Sequence, residues 1–119
     1  MTPGLNAHAR RAAIAARIHT DREVDFATLA DIPARYIGDV ELDDAPLTFE
    51  GDIIADTFHG RRLPGEGELD VQGFVDAIRS TGYDGIWGVE ILSSDYRKLP
   101  ITEAVPAAYR TSMQFLTQS

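Results

Sequence analysis

Residues 82–92 read Gly-Tyr-Asp-Gly-Ile-Trp-Gly-Val-Glu-Ile-Leu. Turn formers at Tyr83-Asp84-Gly85 give way to an apolar, β-rich run, so 86–92 is expected to be a strand. The run is apolar enough for burial on both faces, the pattern of a parallel sheet. One residue breaks it: Glu90, near the C-terminal end. Just upstream, Val71, Phe74, Val75 and Ile78 fall at i, i+3, i+4 and i+7, with Asp70 as N-cap and Gly82 as stop. A helix feeding a strand is half of a β/α repeat.

The same grammar appears further out. Residues 36–42 (Tyr-Ile-Gly-Asp-Val-Glu-Leu) form an expected strand with Glu41 near its end, stopped by Asp43-Asp44-Ala45-Pro46. A short helix from Phe26 to about Ile32 has Asp25 as cap and Pro33 as terminator. Residues 5–17, rich in alanine and arginine, have helix propensity but a weak apolar face. A last helix is expected from about Glu103, with Pro106 in or near its first turn and Val105, Ala108, Tyr109, Ser112, Met113 and Leu116 as its buried stripe. Residues 43–69 form a long charged connection containing Gly51, Gly60, Pro64, Gly65 and Gly67. Such a length inside a domain points to a functional or disordered loop. Strands alternating with amphipathic helices imply parallel β/α units. Two strands leave open edges, so the N-terminal region or another chain is expected to add structure.

Composition narrows the function classes. Nineteen acidic against eleven basic residues give a net charge of −8 over 119 residues, the wrong sign for binding nucleic acid. A small neutral or metal-chelated substrate fits better. With no cysteine, disulfides and thiolate metal sites are excluded and the cytoplasm is the expected compartment. Ala12-Ala13-Ile14-Ala15-Ala16 is far shorter than the ~20 residues that span a bilayer, so no membrane partner is expected.

Glu41 and Glu90 sit near the C-terminal ends of their strands, where β/α folds gather functional groups. A carboxylate inside a buried strand needs a partner. Metal coordination and an ion pair to Arg61, Arg62 or Arg97 are both open. The loop Arg61-Arg62-Leu63-Pro64-Gly65-Glu66-Gly67 offers arginines for an oxyanion or a sugar hydroxyl, with His59 just before it. It is not a dinucleotide or phosphate-loop fingerprint, and a plain turn entering a helix is the simpler reading. Ser93, Ser94 and Asp95 follow Glu90 at the pocket side. Tyr83 and Trp87 are expected to pack rather than to stack on a ligand.

Together, VELDDA (40–45), RRLPGEGELD (61–70), GYDGIWGVEIL (82–92) and the closing helix resemble the last two to three β/α units of xylose-isomerase-like (β/α)8 TIM barrels, an α/β fold of sugar-phosphate isomerases, epimerases and inosose dehydratases. The expected organisation is one barrel segment over 1–119: a helical region at 1–35, then matching units over 36–116. The resemblance implies a divalent metal (Mn²⁺, Mg²⁺, Co²⁺ or Zn²⁺), with Glu41 and Glu90 as ligands. It makes Glu90 the catalytic acid/base and Arg61 the anchor for a sugar or polyol. Arg62 and His59 are further substrate-binding candidates from the loop itself, with a surface place the simpler reading for His59. It implies proton transfer through an enediolate. A lyase of the inosose-dehydratase kind would share the proton abstraction.

The match has departures. Relatives usually carry His or Gln where Glu41 stands, and the family's D-x-x-H stretch is matched only by Ala16-Arg17-Ile18-His19. A complete barrel averages ~250 residues. A homo-oligomer, an N-terminal half-barrel partner, or a non-catalytic truncated segment is therefore expected.

Overall fold

The structure, a computed structural model, describes residues 25–48 and 51–118. The expected helix at 5–17, His8 and the 16–19 stretch with Ala16 and His19 lie outside them. The elements run α1 (Phe26–Ala30), a 3-10 turn (Ala34–Tyr36), β1 (Val40–Leu42), α2 (Ile53–His59), α3 (Val71–Ser80), β2 (Trp87–Val89), a second 3-10 turn (Tyr96–Lys98) and α4 (Ile101–Leu116). They divide into two compact units, the described residues of 1–38 with 73–85, and those of 39–72 with 86–119.

In the first unit α1 starts where Asp25 accepts a hydrogen bond from the Thr28 N–H at 2.8 Å. It ends with the Asp31 and Ile32 amides folded back onto the Thr28 and Leu29 carbonyls, just before Pro33. Along α3, Val75, Ala77 and Ile78 are buried, as is Tyr83 after it. Gly82 has φ +87°, the left-handed conformation that stops a helix, and its N–H donates to the Arg79 carbonyl at 2.9 Å.

The second unit is organised by the parallel pair β1–β2, in register Val40–Trp87, Glu41–Gly88 and Leu42–Val89. Val40 and Leu42 are buried while Glu41 between them is exposed, as a period of two requires. Both strands are shorter than the sequence suggests. The Tyr36 N–H bonds back to the Pro33 carbonyl, so 34–36 turns and pairing begins only at Val40. β2 is not buried on both faces: its three residues are half-buried and Ile86 just before it is 80% exposed, since among the described residues β1 is its one neighbouring strand.

The 43–69 connection contains α2, which its glycines obscured. Asp52 caps it through the Ile54 N–H, and the Gly60 N–H closes it on the Asp56 carbonyl. The chain then runs back across the strand ends through two antiparallel bridges, Asp44 with Arg62 and Gly60 with Ser93. α4 begins two residues earlier than expected, and its buried residues are Thr111 and Ser112. Val105 and Tyr109, expected in the buried stripe, are instead exposed and line up with Ile101 at i, i+4 and i+8 on an outward apolar line. Among the described residues, no helix is long and apolar enough to cross a membrane.

Candidate functional site

Parallel register decides the first part of the site. Glu41 stands opposite Gly88, and Glu90 follows two residues on, so both glutamates fall on the same side of the pair. The Glu90 N–H also bonds the Leu42 carbonyl, which carries the pairing to the strand ends. The negative charge of Glu90 is the main cause that holds the Glu41 carboxyl above its ordinary pKa, followed by desolvation, the proximity of the Glu90 carboxyl as a hydrogen-bond partner and the charge of Asp39. Both glutamates are exposed, so the cost expected of buried strand carboxylates does not arise.

The arginines considered as ion-pair partners are engaged elsewhere. Arg61 pairs with Asp43 (Nε to Oδ2, 3.2 Å) and with Asp56 (Nη1 to Oδ2, 3.5 Å). Arg97 donates to the Ser93 and Phe58 carbonyls, and Arg62 to the Glu66 carbonyl. Arg61 thus ties the end of β1 to α2. Burial raises the Asp43 pKa, Arg61 opposes it, and the charges of Asp44 and Glu90 add to the rise. Asp43 therefore links the arginine electrostatically to the glutamate pair.

Asp44, one residue on, has a different role. It is 1% exposed and accepts three backbone N–H groups, from Ala45 (2.8 Å), Gly65 (2.9 Å) and Leu69 (3.0 Å). With the paired Asp44–Arg62 backbone bonds, this carboxylate fixes the 61–69 loop onto β1. A Cβ on Gly67 would collide with the Asp44 carboxylate and come within 2.6 Å of the Ala45 nitrogen, so only glycine fits there. The sequence marked Asp44 as acidic after a strand. Its function as a loop anchor was not visible, because its partners lie 21 and 25 residues away.

His59, Arg61 and Arg62 come together at a cleft of about 560 Å³, which neither Glu41 nor Glu90 lines. Its walls are fixed by backbone pairing, Arg61 N–H to Leu92 carbonyl and Ser94 N–H to His59 carbonyl, both 3.0 Å. The Ser94 hydroxyl and His59 Nδ1 are also 3.0 Å apart. Tyr96 and Arg110 line this cleft and were not singled out by the sequence reading, since both lie far along the chain from the arginine loop.

The fold that carries these carboxylates and the arginine loop is shared with known proteins. The sequence profile of the xylose isomerase-like TIM barrel family matches residues 8–119. The chain belongs to the xylose isomerase-like TIM barrel family. Its similarity to the 3-dehydroshikimate dehydratase of Pseudomonas putida is 32% identity, over 80% of this chain and 15% of that protein. Similarity to the inosose isomerase of Bacillus subtilis is 28%, over 70% of this chain and 27% of that protein. In structure it is similar to the IOLI protein, solved with a binding zinc atom, at TM-score 0.71 and 22% identity, covering 85% of this chain and 35% of that one. The 119 residues therefore correspond to a minority of each barrel relative, as a partial barrel with a short parallel sheet.

The family raises the question of a metal. Two adjacent oxygen donors, with one proton affinity raised by the other's charge, form an electronegative pair that a hard divalent cation would neutralise. Among the described residues, no group of three or more His, Cys, Asp or Glu gathers to hold a metal. The pair fits a divalent cation as part of its shell, with the remaining positions falling to water, substrate or groups outside the described residues.

Proposed function

We propose that this chain carries the Glu41–Glu90 half of a metal-dependent site for proton transfer on a sugar or polyol, in an isomerase or epimerase reaction. The observation that carries the reading is the glutamate pair itself: exposed, on one face, at the C-terminal ends of parallel strands, with the Glu41 pKa raised by Glu90. A bound Mn²⁺, Mg²⁺, Co²⁺ or Zn²⁺ would supply a Lewis acid that acidifies the C–H beside a carbonyl. Glu90 accepts that proton. In an isomerisation it returns it to the neighbouring carbon of the enediolate, and in an epimerisation the original carbon is reprotonated from the other face, with Glu41 the second oxygen donor toward the cation. Arg61, with Nε and Nη1 held by Asp43 and Asp56, turns its remaining nitrogen to a substrate oxygen. Arg62 and His59 belong to the adjoining cleft.

A dehydratase is the second reading, favoured by the similarity to the P. putida enzyme. It begins with the same proton abstraction and differs in the departure of a hydroxyl. Either reaction needs further barrel units. Among the described residues the sheet has two strands, and the outward line Ile101, Val105 and Tyr109 on α4 supplies an apolar flank for another β/α unit. We take the occupant to be the remaining parallel units of the same barrel, rather than a second copy of this chain.

The test is a calorimetric Mn²⁺ titration of the chain beside Glu90→Gln. Saturable binding that the substitution abolishes is the expected result. Equal binding by both proteins overturns the glutamate pair as ligands, and binding by neither leaves a non-catalytic barrel segment or a half-barrel that binds only with its missing units.

A further inference from the structure

The cleft beside the glutamate pair has a charge balance unlike the rest of the chain. Three arginines line it, Arg61, Arg62 and Arg110, in a protein of net charge −8. Arg61 is neutralised by Asp43 and Asp56. Of the two lining acids, Asp95 is paired with Lys98 at 3.1 Å, its side chain 95% exposed, which leaves Glu66 against Arg62 and Arg110. These two cations come from different elements, the 61–69 loop and α4. Arg62 donates to the Glu66 carbonyl at 3.4 Å, and among the described residues no salt bridge to it is seen.

The rest of the lining suits a carbon skeleton. Leu63, Leu99 and Ala107 are apolar. The Tyr96 hydroxyl is spent on the Ala104 carbonyl, which fixes the ring in the wall. His59 and Glu66 can meet hydroxyl groups. A volume of about 560 Å³ is within the ordinary range for small-molecule sites.

We propose that this cleft binds a small hydroxylated anion, a phosphate or carboxylate head gripped by Arg62 and Arg110 with its carbon body against Leu63, Leu99 and Tyr96. Guanidinium groups recognise either oxyanion through paired N–H donors, so both heads share one chemistry. The site does not depend on the glutamate pair, and it is expected to fill without a divalent cation.

The test is calorimetry of the intact chain in EDTA, with glycerol 3-phosphate, glycerate, inorganic phosphate and glycerol as probes. Saturable binding of glycerol 3-phosphate or glycerate is expected, weaker for inorganic phosphate and absent for glycerol, and the stronger of the first two identifies the head group. Arg110→Gln and Arg62→Gln should each weaken it about tenfold, with folding checked by circular dichroism. Glu90→Gln should bind as the parent does, which separates this site from the proposed metal pair. Arg35→Gln, on the other unit, should also leave binding unchanged. The proposal is overturned if no anion binds, if Arg35→Gln weakens binding as much as Arg110→Gln, or if Glu90→Gln abolishes it.

Discussion

Glu90 raises the proton affinity of Glu41 across the β1–β2 pair, two glutamates separated by 49 positions in sequence and joined by one parallel register. Removing the charge of Glu90 should therefore let Glu41 titrate closer to an ordinary glutamate. A carboxyl ¹³C NMR titration of Glu90→Gln against the parent tests this. An unchanged Glu41 midpoint would mean that Glu90 is not the main cause.

The same relationship fixes the pH dependence of cation binding. A proton and a cation compete for Glu41, and its raised pKa moves that competition to higher pH than for an ordinary glutamate. Apparent Mn²⁺ affinity should be full above the Glu41 pKa and fall as pH drops through it. Calorimetry across the acidic range, with proton release measured in two buffers, reads the effect directly.

Asp44→Ala should destabilise the fold by about 3 kcal/mol, since burial at 1% exposure leaves three backbone donors without their acceptor. Gly67→Ala should cost about 1–3 kcal/mol through overpacking against the same carboxylate. Urea unfolding curves measure both. A loss under 0.5 kcal/mol in Asp44→Ala would show that the loop does not hang on this side chain.

Arg61→Gln should push the Asp43 pKa further up, because burial already raises it and Arg61 is what opposes that. A carboxyl with a raised folded pKa favours the fold at low pH, and that contribution is lost as pH rises through the folded value. The stability deficit of Arg61→Gln should thus be greatest near neutrality and shrink in acid. Thermal melts from neutral to acidic pH would show it, and a deficit that grows in acid would contradict it.

The outward line on α4 makes a separate prediction. Val105→Lys with Tyr109→Lys should change the stability of this chain by within about 0.5 kcal/mol, as both sites are exposed. The same pair should abolish association with the remaining barrel units when the two pieces are co-expressed. Unaffected association would assign the contact to another surface.

What the sequence revealed divides along physical lines. Local signals served well: the Asp25 cap, the Gly82 stop and the apolar spacing of α3 act within a few residues, and all appear in the structure. The two glutamates near the strand ends were legible because strand periodicity and an apolar background made them stand out. The strand lengths were not, since pairing depends on a neighbour elsewhere in the chain, and Pro33 diverts 34–36 into a turn. α2 was hidden by the glycines and charges around it, although Asp52 gives it an ordinary cap. The outward turn of Val105 and Tyr109 was also illegible, because helical spacing identifies a face without saying what covers it.

Gly88, opposite Glu41, carries a wider lesson about how this site is encoded. The two strands act as a vernier, in which one step of sliding converts a matched pair of acids into two isolated ones. A single residue inserted between Val89 and Glu90 would leave every side chain of the site present yet send the second glutamate to the opposite face. For this chain, spacing is inherited information as much as residue identity, and a graft of these strands into another scaffold would have to copy the alignment before the chemistry.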